Sequence, residues 1–228
     1  MIQKQTFTIP ASFGLTVNFK PFCENVLNPH MASLGFELVP SATYSNLWKH
    51  ADSGLYFQIR VVYHNNIGYS TGYTLNQNGT SITSPIINDR YVYFKSQDIA
   101  TGTGILQLIS CNDGNGNLWF TFNGYNQIDN ITGGVVSISG DRGINTANGN
   151  VYEKSTSVIG VVKPIMVDYD ALPDKAHISD TYITSGNFLV EKFPCMKGYA
   201  SAEMQQYRIY EINGKRYLAL PNRLLLEC

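Results

Sequence analysis

Residues 207–228 read YRIYEINGKRYLALPNRLLLEC, and this stretch decides the fold class. Two strand-like segments flank Asn213-Gly214. Asn and Gly tolerate positive φ, which both central positions of a type I′ turn require, so the pair predicts a tight antiparallel hairpin. A further apolar segment, Leu224 to Leu226, follows Pro221-Asn222-Arg223. A run of leucines has no polar face to offer water. It is expected inside the protein's own sheet or against another subunit.

Upstream the same texture recurs. Residues 55–64 (LYFQIRVVYH) are rich in aromatic and β-branched side chains, and 69–75 follow across Asn65-Asn66-Ile67-Gly68, which predicts a hairpin. Residues 90–95 and 104–110 are the next expected strands. Asn112-Asp-Gly-Asn-Gly-Asn117 then turns the chain into 118–122, where Leu118, Phe120 and Phe122 alternate with Trp119 and Thr121. Residues 135–139, 158–162 and 187–191 complete the set. The expectation is a mainly β chain: an antiparallel sandwich or barrel-like domain spanning 1–228, with one or two short helices near the N-terminus. A seam between sub-regions is placed near 140–149 (GDRGINTANG), and 168–186 reads as a second polar loop.

The helical signal lies in 19–34 (FKPFCENVLNPHMASL), where Phe22, Val26 and Met31 or Leu34 share a face. Pro21 suits a first turn, whereas Pro29 removes a hydrogen bond and clashes in a helix interior, so two short pieces are expected. Gly35 ends the region before an extended 36–39. Another short turn is placed near 200–206.

Sixteen basic and seventeen acidic side chains nearly cancel, and charged residues make up only 14% of the chain. That balance gives no electrostatic footprint for nucleic acid and no basic stripe for an anionic membrane. No run of 18 apolar residues is present, and the N-terminal segment lacks the pattern of a secretory signal, so the expected site of synthesis is the cytoplasm. Cys23, Cys111, Cys195 and Cys228 form no CxxC pair, which argues against structural zinc; they read as buried or incidental thiols, with Cys228 open to cross-linking if it is exposed.

Three groupings invite chemistry. Asp113, Asn115 and Asn117 alternate like the start of a calcium loop, but Leu118 replaces the required Gly and Gly124 the bidentate Glu, so a polar hairpin turn is expected. Asp168, Asp170, Asp174 and His177 lie close together in a Pro-containing stretch and are read as a solvated acidic loop rather than a metal centre. The aromatic series Tyr44, Trp48, Tyr56, Tyr63, Tyr69 and Tyr73 supplies core and protein-interface anchors, with sugar stacking as the alternative. His30, His50 and His64 have no nucleophile or carboxylate set beside them, and there is no GxSxG, HExxH, P-loop or GxGxxG motif. The chain is therefore read as non-enzymatic, with no catalytic, cofactor-binding or metal residue assigned.

The order of parts carries a resemblance. A short helical region leads into Leu34-Gly-Phe-Glu-Leu-Val39. A hydrophobic hairpin follows Trp48, then come Tyr91-Val-Tyr-Phe-Lys95 and Leu118-Trp-Phe-Thr-Phe-Asn-Gly-Tyr125, and Ile212–Arg223 closes the series. This layout resembles the virion structural proteins of tailed bacteriophages, especially neck and tail-completion components. The resemblance implies a non-enzymatic subunit that forms a ring with copies of itself, six-fold as such rings usually are, and that contacts other tail or neck proteins in the virion. It carries over no functional residues, and it makes the 140–149 and 168–186 stretches the expected contact loops. The alternative from another class is a carbohydrate-binding β-sandwich acting as a receptor-binding or adhesin module.

Overall fold

The N-terminal segment Ile2–Ile9 is a strand, β1, in which Phe7 and Ile9 are buried while Thr6 and Thr8 face out. The computed structural model describes residues 1–9, 20–40, 46–63, 66–75, 82–93, 104–124, 127–153, 158–164, 177–200 and 204–228; at 60–63, 66–75, 82–93, 104, 177, 194 and 200 the description is of the backbone alone. Among them, β2 (Phe36–Leu38), β3 (Leu47–His50), β4 (Tyr56–Tyr63), β5 (Asn66–Leu75) and β6 (Ile82–Tyr93) pair successively into a small antiparallel sheet.

A larger sheet takes the rest. Its order is β1, β7 (Gly104–Asn112), β8 (Asn117–Asn123), β9 (Val136–Ser139), β10 (Arg142–Asn145), β11 (Asn150–Glu153), β12 (Val158–Pro164), β13 (His177–Ser185), β14 (Phe188–Ala200), and then β17 (Leu224–Glu227), β16 (Lys215–Leu220) and β15 (Ile209–Ile212). The fold is mainly β and antiparallel.

Successive strand side chains point to opposite faces, so a strand with no polar face must be covered on both. Strand β8 is such a case. Leu118, Phe120 and Phe122 enter a core with Phe36, Trp48 and Phe57 of the small sheet. Trp119 enters a second core with Val162, Ile183, Phe193, Leu218, Leu220 and Leu224, so the far half of the long sheet folds back over β7 and β8. The three leucines of β17 are all buried, paired with β14 on one edge and β16 on the other. Of the two places open to this apolar segment, the protein's own sheet is the one it occupies. Asn213 and Gly214 adopt φ of +54° and +75° and set Ile212 opposite Lys215, the turn that their side chains favour.

The helix differs from the expected two pieces. Residues 20–33 form one helix, α1, in which Cys23–Leu27 is π-helical and Asn28–Ser33 is regular. The Asn28 N–H reaches back to the Cys23 carbonyl, opening a wider turn just before Pro29, whose ring would otherwise strike the preceding carbonyls. The wider turn also rotates the buried face. Phe22, Cys23, Leu27, Met31 and Leu34 are buried, while Val26 is exposed. Gly35, at φ +84°, ends the helix and leads into β2.

Two stretches read as loops contain strands. β10 lies within 140–149 and pairs with both β9 and β11. β13 occupies 177–185 of the second polar stretch, because Ile178 and Ile183 pack against apolar clusters while Asp180 is neutralised across the ladder. Residues 165–176 lie outside the described residues, as does most of the turn placed at 200–206. Among the described residues no helix is long and apolar enough to cross a membrane.

Candidate functional site

The polar turn Asp113–Asn117 forms one wall of a cleft. Gly114 and Gly116 take positive φ, and Asp113 Oδ1 accepts from the Asn115 and Asn117 backbone N–H groups at 2.7 and 3.1 Å. Asn117 Nδ2 donates to Asp113 Oδ2 at 2.6 Å. Burial pushes the Asp113 carboxyl up, but these hydrogen bonds outweigh it and hold it below the ordinary carboxylate range. The residues expected to form a hairpin turn do so, and the carboxylate is spent on that turn.

The opposite wall is β14, which crosses over β9 and β10. Ser139 Oγ lies 2.8 Å from Asn117 Oδ1 and 2.7 Å from Cys195 Sγ. Arg142 reaches Glu153 at 3.3 Å and also pairs with Glu191 of β14. Two adjoining hollows of about 220 and 460 Å³ run beneath, sharing Asn115, Asn117, Ser139 and Cys195. The first is floored by Leu118, Trp119 and Leu226, and the second opens beside Phe193.

What this cleft can do follows from its protons. Burial raises the Cys195 thiol above its usual range, so at neutral pH it is a thiol and not a nucleophilic thiolate. His30 and His50 belong elsewhere: His30 sits edge-on to Phe7, and His50 Nδ1 is 2.9 Å from Ser53 Oγ with its pKa lowered by burial. Asp113, Asn117, Ser139 and Cys195, and beside them Arg142 and Glu191, are engaged with one another and act as a tie between layers.

The acidic set Asp168, Asp170 and Asp174 lies outside the described residues, and His177 opens β13 with only its backbone described. Among the described residues no three His, Cys, Asp or Glu side chains converge to hold a metal. Of the aromatic series, Tyr44 is outside the described residues, Trp48 is fully buried and donates to Asn28 Oδ1 at 3.1 Å, and Tyr56 is half-buried. Both tryptophans are core residues.

Beyond the cleft, β13 and β14 continue as a ribbon turned by Gly186-Asn187, with Ser185 opposite Phe188 and β12 lining the outer edge of β13 as far as Thr184. Phe188, Leu189 and Val190 are 80%, 67% and 58% exposed. Strand β14 pairs with β17 only over Met196–Gly198, so no described strand covers the other edge of the 188–193 segment. Sequence reasoning placed a strand at 187–191 and assigned its consecutive apolar residues no role. The Gly-Asn turn before it was the available sign of a ribbon tip.

The ribbon's register is set by charge. Asp180 sits at a bulge and accepts from Lys192 and Lys197, which holds its carboxyl at about 2 instead of 3.8. The folded state favours the ionised form, so this contribution is complete above about pH 4 and disappears as pH falls toward about 2. Asp180→Asn is expected to melt below the wild type at pH 6 and level with it at pH 2, as followed by circular dichroism. An equal gap at both pH values would refute the assignment.

No family model matches this chain, and no characterised protein or solved structure does so either.

Proposed function

We propose that the protein is a non-enzymatic structural subunit that assembles with copies of itself through the β13–β14 ribbon. The observation that carries this reading is Phe188-Leu189-Val190, a large exposed apolar run on a strand with an open edge. Exposed apolar strand edges are templates for pairing, and proteins that stay monomeric blunt them with charge, proline or a bulge. Here the tip carries no charge or proline until Glu191 and Lys192, whose charges are engaged by Arg142 and Asp180, and its bulge at Val190 leaves Phe188 and Leu189 in register with Ser185 and Thr184.

A second copy is the occupant that fits. The chain's net charge of −1 sets up little repulsion between like copies, and a strand edge on one copy can be completed by the same edge on another. A ring in a phage neck or tail is the setting that the sequence resemblance supplies for such a subunit. The carbohydrate-binding alternative draws no support from the tryptophans, because both are buried.

Light scattering on the full chain over a range of concentrations tests this directly. The wild type is expected to exceed the mass of one chain and to grow with concentration, while Leu189→Asp stays at one chain with an unchanged melting temperature. A wild type that holds the mass of a single chain throughout, or a Leu189→Asp variant that assembles equally well, would remove the ribbon from this role.

A further inference from the structure

We infer that Cys111 and Cys228 form a modification site, a dithiol that a peroxide closes to a disulfide. The Cys228 and Cys111 sulfurs are neighbours in the second core, although the two residues are far apart in sequence. Cys111 is fixed on β7 between Ile2 of β1 and Trp119 of β8. Cys228 follows β17 and is held by its backbone N–H, which donates to the Arg216 carbonyl at 2.8 Å, and its Sγ lies 3.6 Å from the Leu226 carbonyl. Both sulfurs pack into the same apolar core. Cys111 is buried and Cys228 is half-exposed, so a small oxidant reaches the pair from one side.

The two sulfurs are chemically unequal. The neighbouring Cys228 thiol outweighs burial and holds the Cys111 thiol below its usual range, while the same contact raises Cys228. Cys111 is therefore the thiolate of the pair and Cys228 the proton donor. A peroxide transfers one oxygen to the Cys111 thiolate, giving a sulfenic acid and releasing its other oxygen as hydroxide. The Cys228 sulfur then attacks the sulfenic sulfur, the S–S bond forms, and the oxygen leaves as water with the Cys228 proton. Overall, two thiols and one hydrogen peroxide become one disulfide and two waters.

The bond would join β7 to the end of β17 and so pin the folded-back half of the long sheet to the half it covers. Neither sulfur lies on the β13–β14 ribbon, so this inference and the assembly reading stand or fall separately.

The test is hydrogen peroxide treatment of the full chain, followed by intact mass and a non-reducing peptide map. The expected result is a loss of about 2 Da, one peptide pair linked through Cys111 and Cys228, and reversal by a thiol reductant. The melting temperature should rise by about 10 °C on oxidation, since the bond closes a long loop. Cys228→Ser should show neither the linked pair nor the rise. Separate alkylation of Cys111 and Cys228 after peroxide would overturn the inference, and so would a link found only between chains or a temperature rise that persists in Cys228→Ser.

Discussion

Phe120→Ala is expected to cost about 3–5 kcal/mol, the largest effect of any single truncation in this fold. Phe120 is fully buried on β8, and its ring meets those of Phe57 at 5.1 Å, Phe36 at 5.6 Å and Phe122 at 6.1 Å, all close to edge-on. Phe36 and Phe57 belong to the small sheet and Phe120 to the large one, so Phe120, with Phe122 stacked on Phe57 at 5.8 Å, fastens the two together. Removal loses apolar burial and the aromatic pairs, and leaves a cavity between sheets whose backbones are fixed by their own ladders. With total stability typically about 5–15 kcal/mol, such a loss leaves little margin. Urea unfolding followed by tryptophan fluorescence measures it, with Trp48 reporting the first core and Trp119 the second. A loss below about 1 kcal/mol would show that the sheets are not held together here. Phe188→Ala provides the contrast: its ring is 80% exposed, so the same measurement should move by no more than about 0.5 kcal/mol.

Gly198→Ala is expected to cost about 3 kcal/mol through the opposite mechanism, excess volume. A Cβ at this position would lie 2.7 Å from Ser179 Oγ and 3.1 Å from Pro164 Cα, and closer still to Pro164 Cβ. The backbone has no room to retreat, because Gly198 is paired with Ser179 of β13 on one edge and Leu224 of β17 on the other. The same urea experiment tests this. A variant as stable as wild type would mean that β12 is free to shift away from β14. Gly114→Ala is the control for backbone strain alone. That glycine has positive φ and open space around the missing Cβ, so the cost there should be only about 1 kcal/mol.

Much of this architecture was legible where local chemistry and tertiary packing agree. Asn213-Gly214 specified its turn, the alternation in 118–122 specified a strand, and the Gly-Asn spacing of 112–117 specified a hairpin, because each signal lies within a few residues. The failures share a physical cause. Strands β10 and β13 are polar by composition and pair with their sequence neighbours, but their charges are neutralised by residues further along the chain: Arg142 by Glu191, and Asp180 by Lys192 and Lys197. A sequence window does not contain those partners. Pro29 was read correctly as a helix problem, but the remedy was a widened turn rather than a break. The strand at 187–191 was legible, but not its exposure, because Phe188-Leu189-Val190 has the composition of a core strand. What distinguishes it is that β17 pairs with β14 only further along, a matter of topology.

The place of β17 also governs how the molecule is made. It is an interior strand of the long sheet, although it is synthesised after both of its neighbours, β14 and β16. While a ribosome still holds residues 224–227, β14 and β16 have nothing between them, and the second core lacks Leu224 and Leu226. The half of the protein that begins at β1 can pair and pack during translation. The other half must wait, with apolar strand edges bare, until its central strand is released. Slow elongation between β16 and β17 would prolong that wait, which makes the pace of synthesis through this stretch, as much as the sequence itself, a determinant of yield.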